Sequence, residues 1–359
     1  MKRDGRRLHS RLPTGTMLAA GAVLLLGACT APGSTGASGS APGAVVGPVA
    51  TVATGLDLPW SIAVLPDGSA LVSENDSGLI KHISDGVTVA AAPVRPAPDP
   101  AGEGGLLGLA LSPGFAKDRR VYAYLTTRQD NRVLSYRWQD EQLTDARVIL
   151  SGIPKARVHN GGRLKFGPDG YLYIGTGDAM NPRSAQDRDS LAGKILRVTR
   201  DGAPAPGNPF GHSPVYSYGH RNVQGLAWDS SGQLWASEFG PDRDDELNRI
   251  KAGGNYGWPS VTGAPGDSRF IDAAYVWPST AVASPSGLAI VDDVAWLAAL
   301  RGQRLWEVRL GRTIRDGDVS DSLVQEYGRL RDVTEAPDGR LWILTNDAKP
   351  DRMLALRVK

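Results

Sequence analysis

One short unit recurs along the chain and limits what it can fold into: a four-residue turn followed at once by an apolar, aromatic-rich strand. Leu65-Pro-Asp-Gly68 leads into Ser69-Ala-Leu-Val-Ser-Glu74, and Gly167-Pro-Asp-Gly170 into Tyr171-Leu-Tyr-Ile-Gly-Thr-Gly-Asp178. Asp229-Ser-Ser-Gly232 leads into Gln233-Leu-Trp-Ala-Ser-Glu238, and Ala336-Pro-Asp-Gly339 into Arg340-Leu-Trp-Ile-Leu-Thr345. A looser copy is Ser112-Pro-Gly-Phe115 before Val121-Tyr-Ala-Tyr-Leu-Thr126. Proline presets φ at the first turn position, and Asp and Gly tolerate the later ones. Each unit therefore reads as a hairpin turn feeding an inner strand. Successive turns lie about 47, 55 and 62 residues apart, and a gap of about 107 before the last leaves room for two more units. A strand-built repeat of roughly 40–50 residues is the signature of a β-propeller. Six units over about 310 residues make an all-β, six-bladed propeller the expected fold. A two-domain β-sandwich would be equally rich in strands and turns, but it does not predict one recurring unit.

Composition agrees with a turn-dense globular chain. Of 359 residues, 44 are Gly and 25 Pro, while 41% are hydrophobic and 22% charged, enough for a real core. A net charge of +2 argues against an electrostatic nucleic-acid binder. No dinucleotide fingerprint or P-loop is present. The Gly104-Gly105 and Gly161-Gly162 pairs read instead as tight backbone approaches in blade loops.

The single cysteine excludes an intrachain disulfide and a Cys-rich zinc site. Its position is informative. Residues 2–11 carry Lys2, Arg3, Arg6, Arg7 and Arg11, and Met17 to Ala28 form an apolar stretch too short to span a bilayer. Leu26-Gly27-Ala28-Cys29 is similar to a bacterial lipobox, which implies cleavage after residue 28 and lipidation of Cys29. The lesser alternative is an ordinary secretory leader with an incidental Cys, and Arg6-Arg7 leaves both export routes open. Without residues 1–28 the net charge falls to −2. From Thr30 to Pro48 the chain is almost wholly Ala, Gly, Ser, Thr and Pro, a flexible tether. The expected organisation is a leader over 1–28, a lipidated Cys with tether over 29–48, and one domain over 49–359. That places the protein outside the cytoplasm, on the membrane only through its lipid.

Three clusters carry candidate chemistry. His159 lies in Arg157-Val-His-Asn-Gly-Gly-Arg163 and His220 in Tyr218-Gly-His-Arg-Asn-Val-Gln224, each just before a repeat strand. In a propeller such loops gather at one mouth of the central channel. Two His and several Arg there would be poised for proton transfer and anion binding, although each His alone suits a structural role equally well. Glu238-Phe-Gly-Pro-Asp-Arg-Asp-Asp-Glu246 crowds carboxylates and free carbonyls that suit a hard cation such as Ca²⁺, or simply a solvated acidic loop. In Gly328-Arg-Leu-Arg-Asp332 the alternating Arg329 and Arg331 point the same way on an extended segment. Two guanidinium groups there invite a polycarboxylate; a charged strand edge is the bland alternative.

The run from Val158 to Tyr173 resembles the soluble quinoprotein glucose dehydrogenase and aldose sugar dehydrogenase family. So do Gly219-His-Arg-Asn-Val-Gln-Gly-Leu-Ala-Trp228, Glu238 to Asn248, and Gly253-Gly-Asn-Tyr-Gly-Trp-Pro259, the most specific piece. Leu58-Pro-Trp-Ser-Ile62, Gly104-Gly-Leu-Leu-Gly108, Ser284-Pro-Ser-Gly287 and Arg329-Leu-Arg-Asp332 fit in the family's order, so the likeness covers about residues 50–357. It implies a six-bladed propeller that binds pyrroloquinoline quinone (PQQ) and Ca²⁺ at its mouth and oxidises aldoses. By that resemblance His159 is the general base on the sugar C1 hydroxyl, with hydride passing to the quinone. Arg221 polarises the quinone carbonyl, with Asn222 beside it on the cofactor. The carbonyls of Gly240 and Pro241 hold Ca²⁺, and Arg301, Arg329 and Arg331 pair with the PQQ carboxylates.

Val158 stands where glucose-specific members carry Asp. Glu103, near sugar and cofactor, replaces Gln, and Arg301 replaces a common Lys. These departures favour a broad aldose dehydrogenase that passes electrons to an external acceptor. A Ca²⁺-dependent propeller lactonase and a non-catalytic, surface-tethered binding module are the competing readings. The lactonase predicts carboxylate ligands converging from several blades.

Overall fold

The computed structural model describes residues 45–347 and 350–358. The leader, Cys29 and the tether up to residue 44 lie outside the described residues. Six four-stranded antiparallel sheets follow one another around a ring, so the fold is the six-bladed β-propeller expected. Blade 1 runs outward through Pro59–Val64, Ala70–Glu74, Leu79–Ser84 and Val87–Pro93. Blade 2 comprises Leu106–Leu111, Arg120–Thr126, Asn131–Gln139 and Gln142–Ile153, and blade 3 Leu164–Phe166, Leu172–Gly175, Lys194–Val198 and Val215–Tyr218. Blade 4 has Val223–Trp228, Leu234–Glu238, Asp245–Arg249 and Tyr275–Trp277, and blade 5 Pro285–Val291, Val294–Ala299, Arg304–Arg309 and Val319–Ser322. Blade 6 is built from Leu330–Glu335, Leu341–Thr345 and Asp351–Val358, and its outermost strand is Val45–Leu56 from the other end of the domain. This pairing closes the ring. It also takes residues 45–48 into a strand, where composition had assigned them to the tether; Pro48 is tolerated because the strand is a sheet edge.

The recurring turn works as its composition requires. In blade 1 the Gly68 N–H donates to the Leu65 carbonyl, Gly68 has φ +87°, and Asp67 Oδ1 accepts the Ser69 N–H at 3.0 Å. Asp169 and Asp338 accept the N–H two residues on in the same way. One expectation needs correcting. The turn joins the first strand of a blade to the second, so it feeds the second strand and not the innermost one. The gap before Pro337 holds one further turn, Asp292-Asp293, in which both residues have positive φ. With neither Pro nor Gly it left no mark in the repeat.

The core lies between blades. Each of the six apolar clusters sits at one blade-to-blade interface. On one strand, Leu71 packs toward blade 2 while Ala70 and Val72 pack toward blade 6. Both faces of a blade are covered, so its middle strands read as unbroken apolar runs rather than alternating ones.

Ser61, Gly108, Gly225, Gly287 and Asp332 are each third in their innermost strand, and Arg163 directly precedes that of blade 3. A Cβ on Gly108 would collide with the Gly162 carbonyl, and one on Gly287 with the Asp332 carboxylate. Small residues there give Arg163 of blade 3 room to reach Asp332 of blade 6, on the opposite side of the ring, with Nη1–Oδ1 at 3.0 Å. Arg163 Nε also donates to the Gln224 carbonyl, and Asp332 Oδ2 accepts the Ile62 N–H of blade 1.

Candidate functional site

The loops that enter the innermost strands meet at one mouth of the channel and enclose a cavity of about 510 Å³, within the range of small-molecule sites. Every blade, or the loop entering it, contributes to the lining. Of the residues singled out in the sequence, Glu103, His159, Arg221, Gly240, Pro241, Arg301, Arg329 and Arg331 all line it.

His159 is held on several sides. Its loop is pinned to blade 2 through Asn160, whose Oδ1 accepts from Asn131 Nδ2 at 3.0 Å and whose carbonyl accepts from the Tyr124 hydroxyl at 2.8 Å, and to blade 4 through Asn222 Oδ1, which accepts the Gly161 N–H at 2.9 Å. A Cβ on Gly161 would sit 2.5 Å from Thr176 Cα, which accounts for that glycine. His159 has φ +60° and donates its N–H to Glu103 Oε2 at 2.8 Å. Its ring Nδ1 lies 2.8 Å from Asp178 Oδ1. Asp178 is fully buried and its carboxylate only accepts, so the neutral ring takes the tautomer with the hydrogen on Nδ1 and the lone pair on Nε2. Nε2 makes no hydrogen bond among the described residues. This is the arrangement of an oriented general base.

Asp178 was not singled out in the sequence. It ends the run Gly175-Thr-Gly-Asp178 after a repeat strand, but nothing in that run shows that it meets a histidine 19 positions away.

Arg221 donates its backbone N–H to Glu238 and Nη1 to the Phe239 carbonyl, while its buried Nε has no partner among the described residues. Burial pulls its guanidinium below the ordinary arginine value. Arg331 bonds Gln224 and Asn346, and its buried Nε has no partner among the described residues. It is pulled down to about 9, by burial first and then by the neighbouring Arg329. Arg301 reaches Thr280 Oγ1 at 3.3 Å. None of Arg221, Arg301, Arg329 and Arg331 forms an ion pair among the described residues, although Asp76, Glu103 and Asp245 share the lining. Four unpaired guanidinium groups and two orphaned donors fit a ligand with several carboxylates. Arg329 and Arg331 do face the same way, as their alternation required.

The Gly240 N–H donates to Asp245 Oδ1 at 2.9 Å, and a Cβ on Gly240 would collide with the Arg243 carbonyl. Neither the Gly240 nor the Pro241 carbonyl accepts a hydrogen bond among the described residues, so both remain available to a hard cation. Among the described residues no three His, Cys, Asp or Glu side chains converge as a metal cage.

Two residues sit differently from expectation. His220 is fully buried behind the wall: Nδ1 faces Glu238 Oε2 and Nε2 faces Ser217 Oγ, both at 2.8 Å, and the ring stacks on Tyr256. It is structural. Asn222 is also fully buried and does not line the cavity, but its Nδ2 has no partner among the described residues.

Residues 56–354 match the Glucose / Sorbosone dehydrogenase family. The chain belongs to that family. Among its relatives, this glucose/sorbosone dehydrogenase family member is 32% identical to the aldose sugar dehydrogenase YliI of Escherichia coli (strain K12), over 82% of this chain and 88% of that one. It is 49% identical to the aldose sugar dehydrogenase of Streptomyces coelicolor, whose structure is the PQQ-bound form; the match covers 89% of this chain and 99% of that one, with a TM-score of 0.84. The apo-form structure of the soluble aldose sugar dehydrogenase of Escherichia coli matches at 28% identity over 86% of this chain and 99% of that one, with a TM-score of 0.76.

Proposed function

We propose that the protein is a PQQ- and Ca²⁺-dependent aldose dehydrogenase that oxidises C1 of a sugar to a lactone and passes the electrons to an external acceptor. The cluster of four arginines that form no ion pair among the described residues, around an open cavity, carries this reading. PQQ, when bound, supplies a quinone that takes up two electrons. His159 Nε2 is placed to take the proton from the C1 hydroxyl as C1 is oxidised to the lactone carbonyl. Asp178 fixes the tautomer and stabilises the imidazolium that forms. Arg301, Arg329 and Arg331 hold the cofactor's carboxylates. Arg221 lines the same cavity and stabilises developing negative charge, and among the described residues the adjacent Asn222 keeps Nδ2 without a partner. The carbonyls of Gly240 and Pro241 hold Ca²⁺. Val158 and Glu103 leave the sugar side less specific than in glucose-restricted members, favouring a range of aldoses.

The leader and Cys29 support a lipid-anchored, extracytoplasmic position, with an aldose substrate and an external electron acceptor as its partners. The alternatives, a Ca²⁺-dependent lactonase or a binding module, have no observation at this site that favours them.

Arg331→Met is expected to weaken PQQ binding by roughly 10–100-fold, the size of one lost charge-assisted contact. Equilibrium titration of the cofactor in the presence of Ca²⁺ checks it. Unchanged affinity would remove the arginine cluster from the binding account.

A further inference from the structure

The motif Gly253-Gly-Asn-Tyr-Gly-Trp-Pro259 lies in the connection between the third and outermost strands of blade 4, yet it is fastened to blade 3. The Tyr218 N–H donates to the Gly254 carbonyl, the Tyr256 N–H to the Tyr218 carbonyl and the Trp258 N–H to the Gly219 carbonyl, each at 3.0 Å. Gln186 completes the seat. Its amide pairs with that of Asn255 in both directions and donates to the Trp258 carbonyl at 2.7 Å. The product of all this anchoring is one fixed indole.

That indole touches both halves of the reacting apparatus. Trp258 Nε1 donates to Asp178 Oδ2 at 2.8 Å, while Asp178 Oδ1 receives His159 Nδ1 and the Met180 N–H. The Arg221 guanidinium lies 5.5 Å from the centre of the same indole. With both carboxylate oxygens engaged, Asp178 cannot turn about its terminal bond without breaking the bond to Trp258. Its plane therefore aims His159, and the indole face backs Arg221.

We propose that Trp258 is a positioning residue that sets base and electrophile together, an inference that rests on the dehydrogenase reading above. It acts through Asp178 and Arg221 and does not itself line the cavity.

The test uses the full chain with Trp258→Phe, which keeps an aromatic face and removes the N–H. The first readout needs no cofactor: the nitrogen and proton resonances of the His159 imidazole in the PQQ-free protein. They are expected to move, with weakening of the low-field Nδ1–H signal. The second is steady-state kinetics with PQQ and Ca²⁺, where kcat is expected to fall about tenfold while the sugar KM stays within about twofold. Gln186→Leu, which loosens the seat without touching the indole N–H, should move both readouts the same way by less, and it serves if the Phe variant folds poorly. Imidazole resonances and kcat matching the wild type in Trp258→Phe would overturn the proposal. Failure of the wild type to oxidise any sugar would instead defeat the dehydrogenase reading, and the imidazole comparison would still decide the role of Trp258.

Discussion

His159→Ala is expected to lower kcat for sugar oxidation by roughly 10²–10⁴-fold, the usual contribution of a positioned general base. PQQ binding should survive within a few-fold, because the cofactor's carboxylates are assigned to arginines on other blades. The expectation rests on geometry. One ring nitrogen is committed to buried Asp178, the other is free, and the ring lines the cavity. His220, the other histidine next to a repeat strand, has both nitrogens engaged and lies behind the wall. Its replacement should therefore act on stability rather than on the chemical step. Pre-steady-state turnover with saturating PQQ and Ca²⁺ separates the two. A His159→Ala protein with near-normal turnover would require another base.

Asp332→Ala is expected to cause the largest loss of stability of any single change at the channel, about 3–5 kcal/mol. Asp332 and Arg163 are 3% and 5% exposed, so the substitution leaves a guanidinium buried without its counter-charge. It also strands the Ile62 N–H that Asp332 Oδ2 accepts. Breaking one partner of a buried pair costs far more than removing both. The double variant Arg163→Met/Asp332→Ala should therefore unfold at a higher temperature than Asp332→Ala alone. For the single variant a fall in Tm on the order of 10 °C is expected, read by thermal denaturation. A double variant no more stable than the single one would show that the pair does not hold the opposed blades 3 and 6 together.

The fold was legible wherever the chain spells its turns with Pro, Asp and Gly, because those residues have few other uses at such spacing. Blade 5 was hidden, since Asp292-Asp293 makes the same connection with two residues of positive φ and no glycine. The direction of the unit was misread for a related reason. A turn and the strand after it look alike whether that strand is first or second in its blade. The mouth of the channel was legible through loops that precede innermost strands, which delivered His159, Arg221, Arg329 and Arg331 to one cavity. What the sequence could not show is which side chains turn inward. His220 and His159 occupy similar loop positions, and only packing against Glu238 and Tyr256 separates their fates. Asp178 meets His159 across 19 positions and Trp258 across 80, and Arg163 meets Asp332 from another blade; no local pattern encodes those contacts.

The central claim is tested most directly by adding PQQ and Ca²⁺, separately and together, to metal- and cofactor-free protein and following dye reduction over a panel of aldoses. The account predicts sugar-dependent reduction that requires both additions, extends to more than one aldose and collapses in His159→Ala. Absence of PQQ binding, or binding without turnover on any aldose, would contradict it.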